Sequence, residues 1–233
     1  MDLTACTTLA YMHEQMRALK YPAAINAPIA TDVSGLWYVC TSLEVLPVCY
    51  HPIATNYSYY ISSCSALSRF TTGISFAGGT NFNNFASYSS LLRDTLATSG
   101  HTWPMSGVTT MDSAFLDSGI TVLPEIGTVG CTAFSSLLGY GALTLTIPAS
   151  YNFASATAGQ LDFASAYSLE WIYATPPTIS HSLAHNSLST NALNDYFSRL
   201  PIAVAQTIAV TGNPGSATCN TTIATLKGWV VII

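Results

Sequence analysis

The sequence predicts an α/β solenoid assembled from short repeats, and three observations predict it. A frame of apolar residues recurs along the 233-residue chain at a period of about 24 residues. Hydrophobic residues make up 49% of the chain, enough for a sizeable core, while charged residues make up only 7%. Each short apolar run is followed by Pro, Gly or Thr, and Pro and Gly interrupt a strand.

The elements follow in order. Leu9, Met12, Met16 and Leu19 stand at helical spacing, so Leu3–Leu19 is expected to form one amphipathic helix that Pro22 ends. Residues 1–30 would then cap the solenoid or dock it to a partner. The repeats occupy residues 31–188. "WYVCTSLEVLP" from Trp37, "ISSCSALSRF" from Ile61 and "FASYSSLLRD" from Phe85 share one frame, with an apolar residue three before the Cys40 position and Leu three after it. The anchors are Leu43, Leu67 and Leu91, continued by Ile120, Leu143 and Leu169, at periods of about 23–29 residues. Tyr88, Asp117, Tyr140 and Ala166 stand where Cys40 and Cys64 do.

Each unit is expected to hold a helical or turn-like half and then a strand of two or three residues. Pro47, Pro124 and Pro148 end such strands by removing a ladder donor. One unit cannot bury its apolar side; stacking units gives a parallel sheet with a shared core behind it. Periods in this range are those of degenerate leucine-rich repeats. Six unrelated strands of a β-sandwich are the other arrangement, and the regular anchors favour the solenoid.

Residues 189–233 read as a C-terminal capping repeat. Its helix starts with Ser189 or Thr190 as N-cap, carries an Asp195–Arg199 pair one turn apart, and ends before Pro201. Gln206–Val210 reads as a strand, "TGNPG" as a turn, and "TTIATLKG" as a short helix that Gly228 terminates in the left-handed conformation. "WVVII" is the last strand.

Net charge is −5 with only 6 Lys and Arg. A surface that tracks phosphates needs clustered cations, so nucleic acid is not an expected partner. Weak charge also gives little protection against association, which favours a homo-oligomer or a component of a larger assembly. The apolar stretch Leu200–Val210 is broken by Gln206 and Thr207 and falls short of the roughly 18 residues of a membrane span. The N-terminus opens on an acid and lacks the basic start and apolar centre of a signal peptide, so synthesis in the cytoplasm with reduced cysteines is expected.

No catalytic, cofactor-binding or metal-binding residue is expected. "HEQMR" (His13–Arg17) begins like a zinc-protease motif, but Arg17 replaces the second ligand. "GISFA" (Gly73–Ala77) resembles a nucleophile elbow but ends in Ala77. His181 and His185 are four apart without a third ligand nearby, whereas structural zinc takes four. None of the six cysteines, Cys6, Cys40, Cys49, Cys64, Cys131 and Cys219, forms a Cys-x-x-Cys pair, and Cys40 and Cys64 read as core packing residues.

Two stretches suggest binding. The wide spacing between Leu91 and Ile120 marks an insertion, "TSGHTWPMSG" (98–107), that would present His101, Trp103 and Met105. Trp103 folding back over the core edge is an equal alternative. "NYSYY" (Asn56–Tyr60) offers Tyr57, Tyr59 and Tyr60 as large contacts with polar tips, unless alternate tyrosines pack inward.

The frame of Asp32, Ser34, Cys40, Leu43, Leu46 and Pro47, with the tail from "LSTNALNDYFSRLPIAVAQTIAVTGNPG" to "TLKGWVVI", resembles the BspA-like class of leucine-rich-repeat proteins from bacteria and their phages. The similarity runs from about Thr31 onward. It implies a binding protein rather than an enzyme. The phage-virion type is expected, as a tail-fibre, baseplate or receptor-binding component located in the virion, with other virion proteins and a host surface protein or glycan as partners. A capsid decoration or head-fibre protein and a bacterial surface adhesin are the alternatives.

Overall fold

A computed structural model describes residues 3–71, 73–92, 100–139, 144–157 and 161–233. The chain winds into about eight stacked coils whose strands pair in parallel. Three columns of pairing run along the stack, each one or two residues wide per coil. The first links Thr8, Asp32, Asn56, Asn81, Thr110 and Ala133 by successive bridges. The second pairs β2 (Val45–Leu46) with β4 (Arg69–Phe70), and β5 (Thr146–Ile147) with β6 (Trp171–Ile172). The third pairs β1 (Ile25–Asn26) with β3 (Cys49–Tyr50), and Ser75 with Thr102. The sequence located the second column, whose strands end at Pro47 and Pro148.

Between the first and second columns the backbone forms a stacked spiral, and here the helical expectation fails. In the coil that starts at Asp32, the N–H groups of Val33, Gly35, Trp37 and Val39 donate to carbonyls of Asn56, Ser58, Tyr60 and Ser62 in the next coil. The N–H groups of Leu36, Tyr38 and Cys40 donate instead three residues back, to Val33, Gly35 and Trp37. Successive amides thus bind the next coil and their own coil in turn. Reversing direction at each residue needs left-handed backbone at intervals, and φ is positive at Gly35 and Val39. Tyr11 and Gln15, Tyr59 and Ser63, Asn84 and Tyr88, and Ser113 and Asp117 repeat the pair.

Leu3–Leu19 follows the same rule. Leu9, Tyr11, His13 and Gln15 donate to Asp32, Ser34, Leu36 and Tyr38. That segment is another coil of the solenoid rather than a helix. The spiral buries Val33, Leu36, Trp37, Cys40 and Leu43, a spacing of three and four that imitates a helix face. Helical character is therefore small, and the α/β, leucine-rich-repeat expectation gives way to a parallel β-solenoid. Three successive spirals open on a side-chain cap: Asp32 Oδ1 accepts from Ser34 N–H at 2.9 Å, Asn56 Oδ1 from Ser58 at 3.2 Å and Asn81 Oδ1 from Asn83 at 3.0 Å.

The register also corrects the sequence frame. Cys64 N–H donates to Ser89 Oγ, so Ser89 rather than Tyr88 continues the cysteine column. Leu92, fully buried, takes the anchor place assigned to Leu91, which is 48% exposed. Ser118 follows the left-handed Asp117 as Cys40 follows Val39. Tyr140 and Leu143 lie outside the described residues; Thr144, buried and bonded through its hydroxyl to the Ile120 carbonyl, takes the anchor place in that coil.

The helices and strands expected of the C-terminal segment form. Helix α1 spans Thr190–Arg199, with Ser189 as N-cap accepting from Ala192 N–H at 3.2 Å. The Asp195–Arg199 pair closes at 2.9 Å. A parallel sheet of β7 (His181–Ser182), β8 (Gln206–Ala209) and β9 (Trp229–Ile232) follows, with α2 (Thr222–Thr225) before β9. Gly228 has φ +85°, and a Cβ there would stand 1.8 Å from the Ala203 carbonyl oxygen. No helix among the described residues is long and apolar enough to cross a membrane.

Candidate functional site

The coil from Asn81 to Thr110 is the long one, and its extra residues reach His101, Trp103 and Met105. Thr98 and Ser99 of the predicted insertion lie outside the described residues. The bridge between Ser75 and Thr102 fixes the strand that carries these side chains. Trp103 turns into the core at 8% exposure. Its indole stacks on Phe76 with centroids 4.5 Å apart and planes 17° apart, and Phe85 meets it edge-on at 5.8 Å. Of the two readings the sequence left open, Trp103 folds back. Met105 is 67% exposed.

His101 is half-buried, its ring 5.4 Å from Phe70 and 6.0 Å from Phe76. Its Nδ1 accepts the Ile74 N–H at 3.2 Å, which leaves the proton on Nε2. Burial pulls its pKa below the usual histidine value. With Thr102, Val122, Leu123 and Glu125, the three residues line an open cleft of about 610 Å³. The sequence missed Val122, Leu123 and Glu125, which belong to the following coil and come beside His101 only through the stacking. The cleft offers an apolar floor, a flexible thioether at its edge and one carboxylate at its rim, a set that holds a ligand or a side chain.

The tyrosine stretch divides. Tyr57 and Tyr60 are buried, at 1% and 0% exposure, so they present no contact surface. Their phenols hold His51: Tyr57 lies 3.2 Å from Nδ1 and Tyr60 lies 3.0 Å from Nε2, and Tyr57 donates onward to the Ser75 carbonyl. That chain puts the imidazole proton on Nδ1, with Tyr60 donating to Nε2. Burial pulls His51 down to about 4. Tyr59 points the other way and stays on the surface, where its ring meets Tyr38 at 5.5 Å; Tyr38 meets Tyr11 at 6.5 Å. Tyr11 and Tyr38 come from two other coils, and reading Leu3–Leu19 as a helix hid the match between Tyr11 and Tyr59.

The cysteines are spread through the stack. Burial raises the thiol pKa at Cys40, Cys64 and Cys219, and pushes Cys49 and Cys131 up to about 12. Such thiols stay protonated at neutral pH and make poor nucleophiles. His13 stacks on Trp37 at 4.5 Å instead of facing a helical partner. His181 sits in β7 with Nδ1 donating to the Ile179 carbonyl, and His185 adopts the left-handed turn after it. Ser75 is a bridge residue between coils rather than a serine on a strand-to-helix elbow. Among the described residues no group of three His, Cys, Asp or Glu side chains converges as a metal site. No protein-family model, curated protein or solved structure matches this chain.

Proposed function

We propose that the chain is a non-enzymatic binding component of a larger particle, of the virion tail-fibre, baseplate or receptor-binding type, and that it holds a partner at the cleft beside Met105. The cleft is the observation that carries this reading. It forms where the solenoid departs from its period, and a loop on a rigid, hydrogen-bonded scaffold is a common place for recognition. The low content of charged residues and the resemblance of the repeat frame and C-terminal unit to BspA-like phage proteins support an assembly role.

Deleting the loop is a poor test, because Trp103 is part of the core. Met105→Asp and Glu125→Lys change the exposed rim alone. Each is expected to weaken attachment of the purified chain to host cells by about tenfold or more, with Tm unchanged. Immunogold electron microscopy of purified particles is expected to label the tail. Normal attachment by both variants together with unlabelled particles would sink the reading.

A further inference from the structure

The outer face of the spiral carries a tyrosine cluster that the cleft does not explain. We propose that Tyr11, Tyr38 and Tyr59 form a binding site for a neutral saccharide. Two observations converge on it. The first is geometric: three coils contribute one half-exposed ring each, with centroids 6.5 Å and 5.5 Å apart at interplanar angles of 77° and 64°. Gly35 lets the group assemble, since a Cβ there would stand 2.3 Å from the Tyr11 ring.

The second is a broken local rule. Tyr11 and Tyr59 both occupy the first left-handed position of the spiral, at φ 56° each. The other coils place Gly35, Asn84, Ser113, Ser136, Ser165 and His185 there, residues that are small or of the polar types that tolerate left-handed backbone. A bulky side chain in left-handed backbone is strained, and strain kept against local preference marks a functional surface. The tyrosines are therefore held for what they present outward.

What they present suits a sugar. Ring faces pack against the C–H face of a pyranose, and phenol tips exchange hydrogen bonds with its hydroxyls. The charged groups that act on Tyr11 are the carboxylates of Glu14 and Asp32, so an anionic polymer is repelled. Both carboxylates already hold donors, Gln15 Nε2 at 3.3 Å and Ser34 N–H at 2.9 Å. They are placed to accept further hydroxyl hydrogens rather than to await a cation.

Calorimetric titration of the intact chain tests the site, using neutral tetrasaccharides of glucose, mannose, galactose and N-acetylglucosamine, with sialyllactose and tetramethylammonium as charged probes. At least one neutral tetrasaccharide is expected to bind with Kd of about 1 mM or tighter. Tyr38→Ser and Tyr59→Gly are each expected to weaken it by about tenfold. Tyr59→Gly is the decisive variant: glycine relieves the left-handed strain, so Tm holds or rises while binding falls. No binding by any neutral probe at roughly 10 mM, unchanged binding by the variants, or binding by a charged probe alone would overturn the proposal. Met105→Asp is expected to leave sugar binding intact, so failure here and failure at the cleft are separable.

Discussion

Cys40 shows how much one residue depends on the coil below it. Its Sγ lies 2.9 Å from the His13 carbonyl oxygen, Cys64 Sγ lies 3.0 Å from that of Trp37, and Ser89 Oγ lies 2.7 Å from that of Ile61. The three acceptors are themselves equivalent residues of successive coils. The column requires a short donor that satisfies a buried carbonyl of the previous coil. Cys64→Ser is therefore expected to keep stability within about 1 kcal/mol, and Cys64→Val to lose about 1 kcal/mol, because the Trp37 carbonyl keeps the Cys40 N–H and loses its second donor, measured by urea unfolding. The sequence revealed Cys40 and Cys64 as equivalent packing positions, which holds. It also placed Tyr88 in the column, because an apolar frame records side-chain size and not the donor beneath it; one residue of slip cost nothing in hydrophobic pattern and moved the column onto an exposed aromatic.

Elements were legible where they obey local rules. Helix α1 has its N-cap, its ion pair and its proline stop written in ten or so neighbouring residues, and all three operate. The helix is also tied to its surroundings by contacts no local rule encodes. Arg199 Nη1 donates to the Ala174 carbonyl at 2.7 Å and Nη2 to that of Ile172, so the guanidinium holds α1 to β6. Lys227 Nζ donates to Ser198 and Leu200 at 2.5 and 2.8 Å and neutralises the C-terminal end of the helix. Lys227→Met keeps the aliphatic stem and removes these bonds; a loss of about 2 kcal/mol in chemical denaturation is expected. The stacked spirals failed in the opposite way. Their burial pattern is that of a helix, and only the destination of each amide tells them apart. That destination is set by a neighbouring coil more than twenty residues away, so no window of sequence holds the answer. The exposed tyrosine cluster was hidden for the same reason.

The whole molecule stores an acid sensitivity in its two buried imidazoles. His51 is enclosed by Tyr57 and Tyr60, and His181 by Tyr196, whose phenol donates to Nε2 at 2.8 Å, and by the edge of Trp229. Arg199 stands over Tyr196 at 5.6 Å, an unfavourable neighbour for an imidazolium. Burial pulls both histidines from 6.5 to about 4. The unfolded chain binds more protons between those values, so their contribution is complete above pH 6.5 and is lost as pH falls toward 4. Each would forfeit about 3 kcal/mol across that window. Unfolding followed at pH 7.5 and 4.5 is expected to show a large drop in midpoint that His181→Asn reduces by about half; an equal midpoint at the two pH values would refute the assignment.

The alternation of amides along each spiral carries one more consequence, for how the chain tolerates changes of length. The coil from Asn81 to Thr110 keeps its spiral in step, with Phe82, Asn84, Ala86 and Tyr88 donating to Thr110, Asp112, Ala114 and Leu116, and takes its additional residues after Tyr88. A single residue inserted inside a spiral would exchange the two sets of amides for the remainder of that segment and aim each at the wrong acceptor. The spirals thus behave as a reading frame with a parity: the corners are free to lengthen one residue at a time, and the spirals only in multiples that restore the pattern.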